Sequence, residues 1–137
     1  MGGRAASLWS SDGKGVEVSD ARRERNQFRC IVTIHDEGRA AAAAELDMIG
    51  AYQSMMQDFF EELSAANDVE DRRLWDSEFA EVALEFTGAG PQTVRVAADI
   101  RPTSDRDEGY EVHFTADLNA VRRWAGDVAK LASAQRV

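Results

Sequence analysis

Residues 39–66 read RAAAAAELDMIGAYQSMMQDFFEELSAA, and where the helix in this stretch begins decides the architecture. From Met48 onward the apolar residues are Met48, Ile49, Tyr52, Met55, Met56, Phe59, Phe60 and Leu63. Steps of one and three residues put them on one face of an α-helix, not on the alternate positions of a strand. Asp47 stands where an N-cap stands, its carboxylate able to accept the orphan N–H groups of a first turn. The spacing therefore predicts a helix over 47–66, with Phe59 among its buried residues. Each large side chain buried on such a stripe stabilises the fold by about 1.5–3 kcal/mol, so this helix should anchor the core.

The preceding residues 39–46 admit two readings. Alanine has the highest helix propensity, which would extend the helix back to Arg39. The cap-like placement of Asp47 argues instead for a strand with Ala40, Ala42, Ala44 and Leu46 on its inner face. Upstream lies a strand over 27–35, with Phe28, Cys30, Val32 and Ile34 on one side and Arg29, Ile31, Thr33 and His35 on the other. Asp36-Glu37-Gly38 is a turn signal between the two.

The second half favours the strand. Residues 80–87, 93–101 and 110–116 alternate as strands, and Gly88-Ala89-Gly90-Pro91 reads as a turn. Asp117 then caps a helix whose stripe is Leu118, Val121, Trp124, Ala125, Val128, Leu131 and Ala132. Each half thus runs strand, turn, strand, capping aspartate, helix, and residues 110–116 correspond to the alanine tract. Strand is the reading taken for 40–44. The expected fold is α+β: a mostly antiparallel sheet of five to six strands, two amphipathic helices on one face, in pseudo-duplicated strand-strand-helix units. A weaker first strand falls at 16–18, residues 20–26 (DARRERN) read as a charged connection, and residues 1–14 are expected to be partly disordered, with Leu8 and Trp9 docking onto the body.

The 137 residues suit one domain, and 44% apolar with 30% charged content suits a globular chain. A net charge of −9 disfavours a nucleic-acid partner and suits a basic protein partner. The basic clusters at Arg22, Arg23 and Arg25, at Arg72 and Arg73, and at Arg122 and Arg123 are each diluted by acids. A lone cysteine, Cys30, can form no intrachain disulfide and fits a reducing cytoplasm. The opening MGGRAASLWSSDGKG lacks the apolar segment of a secretory signal, and no run approaches the ~20 apolar residues of a membrane helix.

At Phe59-Phe60-Glu61-Glu62-Leu63, Leu74-Trp75-Asp76-Ser77-Glu78 and Val82-Ala83-Leu84-Glu85-Phe86, followed by a glycine turn and Thr93-Val94-Arg95-Val96, the chain resembles a small actinobacterial family of unknown function, the DUF6228-like proteins. The resemblance spans about residues 28–131 and implies the same strand-and-helix layout. It carries no catalytic residue across. The alanine tract departs from the β-branched strand that the pattern leads one to expect.

No cofactor motif or metal-ligand set stands out. His35 and His113, on outward strand positions, would support proton transfer or metal binding only if the fold brought them together with Glu81 or Glu85. Cys30, inward beside Phe28 and Val32, reads as an inert core thiol. Asp105, Asp107 and Glu108 beside Gly109 lack the later glutamate of a calcium loop. The candidate binding residues are Trp75, Asp76 and Glu78: an aromatic anchor with an acidic rim, or, in the preferred reading of the tryptophan, a plug for the open end of the core. The expected function is a small acidic cytoplasmic protein-binding module, of inhibitor or immunity type. The alternatives are a small-ligand-binding domain with an apolar pocket, or an enzyme using surface histidines and carboxylates.

Overall fold

The structure, a computed structural model, describes residues 5–67, 69, 71–77, 81–101 and 109–134. The alanine tract is a strand. Four strands, β1 (Ala6–Trp9), β2 (Gly15–Glu24), β3 (Gln27–Asp36) and β4 (Arg39–Met48), form an antiparallel sheet in sequence order and lead into α1 (Gly50–Ala65). The pattern then repeats: β5 (Arg73–Asp76), β6 (Val82–Gly90), β7 (Thr93–Ile100) and β8 (Tyr110–Asp117) form a second antiparallel sheet and lead into α2 (Leu118–Ala134).

Two four-stranded sheets replace the expected single sheet of five to six strands with helices on one face. The strands of each half alternate apolar and polar residues, so each sheet has one face to bury and one to wet. The two inner faces meet where β3 lies against β7 and β8, and β4 against β7. The helices cover the rest. α2 touches β1 and β2 of the first sheet and β7 and β8 of the second. α1 touches β3 and β4, while its Phe59 and Phe60 rings reach Phe86 and Trp75 of the second sheet. One continuous apolar core results, running from Leu8 and Phe28 through Phe60 and Trp124 to Phe86 and Phe114.

The missing strands have identifiable causes. β1 and β5 are only four residues long, too short for alternation to register. The charged connection over 20–26 is mostly β2, which continues to Glu24 through a bulge between Ser19 and Arg22. The bulge sets two residues against one and breaks the sequence alternation there. The turn follows at Arg25 and Asn26, both at positive φ (57° and 119°). The turn at 36–38 is as expected, with Glu37 and Gly38 at φ 54° and 78°. The glycine turn at 88–91 is shifted: β6 runs to Gly90, and the reversal falls at Pro91 and Gln92.

The two helix starts differ. Asp117 caps α2 as read, its Oδ1 accepting the Asn119 N–H at 2.8 Å. Asp47 does not cap α1. It belongs to β4, where it accepts from Arg29 at 3.2 Å, and Ile49 is the N-cap without a side-chain bond. Met48 likewise ends the inner face of β4 and is buried. A bulge between Ile34 and His35 leaves Ala40 exposed, while Ala42 and Ala44 keep the inner face as expected.

The helices lie antiparallel. Gln53 of α1, buried, donates from Nε2 to the Ala132 carbonyl at 2.7 Å, and Arg23 donates to its Oε1 at 3.5 Å. At the other end Arg122 Nε donates to the Ser64 carbonyl at 3.1 Å, satisfying an orphan group of the last turn of α1. Trp124 fixes α2 to the edge of the first sheet, its Nε1–H donating to the Ala6 carbonyl at 3.1 Å. Residues 1–4 lie outside the described residues, but from Ala6 onward the N-terminal segment is a paired strand, with Ala6 and Leu8 in the core.

Candidate functional site

Trp75 sits in β5 with 6% of its surface exposed, 5.6 Å from the Phe60 ring centroid. It plugs the core between α1 and the second sheet and offers no face to a partner. Asp76 alternates outward and is exposed; Glu78 lies outside the described residues. Ser77, between them, is buried and ties the strand to its neighbour, donating to Glu81 at 2.6 Å and accepting from the Val82 N–H at 3.1 Å.

An exposed aromatic beside acids does occur, on α1. The apolar stripe of this helix is wider than the core can cover. Gln53, Met56, Phe60 and Leu63 form its buried face. Tyr52 is 38% exposed, Met55 61% and the N-cap Ile49 47%, while Phe59 is half-buried. At 100° per residue, Tyr52, Met55 and Phe59 fall together on the flank next to the buried face. Asp58 and Glu62, both exposed, border that flank on its solvent side, each three residues beyond an apolar member. The helix carries three acids, Asp58, Glu61 and Glu62, and neither lysine nor arginine. The Phe59 ring is held edge-on by Phe60 at 5.1 Å and tilted against Phe86 at 6.1 Å, so the inner end of the stripe is rigid. Periodicity revealed the whole stripe. Its division into a core face and an exposed flank depends on where the second sheet lies, which periodicity does not report.

The histidines are not brought together. His35 lies on the outer face of the first sheet and His113 on that of the second, where its partner is Glu111 of the same strand. Glu81 and Glu85 are engaged elsewhere, with Ser77 and with Arg72. Around His35 the structure assembles a cluster that the sequence did not disclose. Trp9, Gly15 and His35 fall in one row across β1, β2 and β3. Gly15 has no side chain, and a Cβ there would come within 3.2 Å of the Trp9 ring, so the indole passes over it to stack on His35 at 4.5 Å. Glu17 lies 3.6 Å from His35 Nε2 and accepts from Ser7 Oγ at 3.0 Å. Trp9 remains 45% exposed.

Cys30 is buried as read, and desolvation pushes its thiol up to about 12, which keeps it protonated and unreactive at neutral pH. Asp105, Asp107 and Glu108 lie outside the described residues, and among those described no cluster of metal-ligating side chains forms. Two described cavities are open grooves along the helix pair. One of about 620 Å³ is lined by Ser64, Asp117, Asn119, Arg122 and Arg123. The other, of about 290 Å³, lies between α1 and α2 beside Gly126 and Lys130. No described helix is long and apolar enough to cross a membrane.

No protein-family model matches the chain, and no curated protein sequence matches it.

Proposed function

We propose that the chain is a small acidic cytoplasmic protein-binding module, of inhibitor or immunity type, that engages a basic partner through the outer flank of α1. The observation that carries this reading is the exposure of Tyr52 and Met55 on a rigid helix bordered by Asp58 and Glu62. An apolar strip with an aromatic and a methionine, rimmed by charge of one sign, has the composition of a binding hot spot. Both helices bury the residues the fold needs, so the fold alone does not account for this second strip. The net charge of −9 supports a basic partner by steering its approach. The sequence pattern over 59–63, 74–78 and 82–86 supports grouping the chain with the DUF6228-like proteins.

The test is affinity capture from the native host with two baits, the wild-type chain and a Tyr52→Ser/Met55→Asp variant of matched thermal stability. The expected result is a basic protein retained by the first bait and lost from the second. Retention of the same proteins by both baits overturns the assignment of the site.

A further inference from the structure

We infer that the segment docking on the α1 flank is an amphipathic α-helix with lysine or arginine along its border, supplied by another protein and not by a second copy of this chain. This rests on the reading of α1 as the binding surface and specifies what that surface accepts. Tyr52, Met55 and Phe59 recur at three and four residues along one helix and span about 10 Å. Such a convex ridge is matched by the groove between side-chain rows of a second helix. The backbone groups of α1 are consumed within the helix, so the flank offers nothing to an extended strand that would bind through its main chain. With only Tyr52 and the half-buried Phe59 as aromatics, it has no aromatic-walled groove for a polyproline segment either.

Charge selects the partner. A second copy packed through the same flank would bring two more acids to the seam, with no basic residue on the helix to relieve them. An anionic lipid surface or a nucleic acid meets the same repulsion. A helix with cations three or four residues from its apolar stripe places them opposite Asp58 and Glu62.

The test uses the full chain and two synthetic peptides of leucine and lysine with one composition. One is ordered as an amphipathic helix; the other is permuted so that no helical stripe forms. Binding is read by calorimetry, and peptide helicity by circular dichroism. The ordered peptide is expected to gain helicity on binding, to bind at least about tenfold more tightly than the permuted one, and to lose at least about tenfold on Met55→Asp. Asp58→Asn/Glu62→Gln should flatten the salt dependence of its binding. Equal binding of both peptides, no binding of either, or indifference to Met55→Asp overturns the inference. So does a dimer of the free chain in sedimentation that Met55→Asp dissolves. Capture of a basic protein that docks through an extended segment would leave the binding surface standing and remove only its helical occupant.

Discussion

α1 and α2 close equivalent halves of the chain, yet they use their apolar residues differently. Every member of the α2 stripe, from Leu118 to Ala132, is buried. On α1 the same kind of stripe is split: Met56 and Phe60 are fully buried, while Met55 is 61% exposed and Phe59 half-covered. α2 has contacts on both sheets and on α1, so its whole apolar arc is enclosed. α1 packs on one side against α2 and the sheets, and the flank carrying Tyr52 and Met55 faces water. A helix that only served the core would need no methionine and tyrosine there. That excess is what the proposed assignment of the interaction surface to α1, and not to α2, rests on.

The comparison can be broken most sharply at the shared aromatic cluster. Phe60 touches both Trp75 and Trp124, at 5.6 and 5.5 Å, so Phe60→Ala and Trp124→Ala should each cost about 3–5 kcal/mol in chemical denaturation. Phe59→Ala, expected from periodicity alone to cost as much, should cost about 1–2 kcal/mol because its ring is partly solvated already. Equal losses at Phe59 and Phe60 would mean that the flank is part of the core.

The helix–helix seam is the next target. Gln53→Ala leaves the Ala132 carbonyl without its buried donor and should cost about 1–3 kcal/mol. Gly15→Ala, on the first sheet, should cost a similar ~1–3 kcal/mol, because its methyl would stand 2.5 Å from the Leu8 carbonyl oxygen. It should also lift Trp9 from His35, visible as a change in tryptophan fluorescence; an unchanged spectrum would contradict the stack.

The smallest effect concerns the clasp between the sheets, where the Tyr110 hydroxyl donates to Asp36 Oδ2 at 2.6 Å. That hydrogen bond, with some desolvation and the nearby negative charge, raises the Tyr110 hydroxyl above its ordinary value of 10.0. A raised value means that the folded chain holds this proton more tightly than the unfolded one. The contribution is fully present below about pH 10 and is lost as pH rises through the raised value. Tyr110→Phe should remove that alkaline limb from the stability profile, and a profile unchanged by the substitution would remove the clasp.

Much of the fold was legible because alternation and helical periodicity are direct consequences of one-sided burial. Cys30, Leu84 and Val96 on strands, and Val121 and Val128 on α2, fall where those periods put them. The alanine tract became readable only through its counterpart at 110–116, since propensity alone favours a helix there. The number of sheets was not legible. Which strands pair depends on contacts between distant segments, and a bulge at 19–22 hid the longer reach of β2. Trp75 is the core plug of the preferred reading, whereas Trp9, expected to dock onto the body, is 45% exposed. The alternation of β5 takes Trp75 in and Asp76 out, and Trp9, in a glycine-bearing segment, is fixed outward by the alternation of a four-residue strand.

Met55 and Met56 are neighbours of one chemistry on opposite sides of the proposed division, 61% and 0% exposed. The unfolding free energies of Met55→Asp and Met56→Asp, measured side by side in urea, test that division most directly. Met55→Asp should stay within about 0.5 kcal/mol of the wild type, while Met56→Asp, burying an unpaired carboxylate, should lose more than about 3 kcal/mol. Comparable losses for the two would show the whole apolar stripe of α1 to be covered, as that of α2 is, and would leave no second face for a partner.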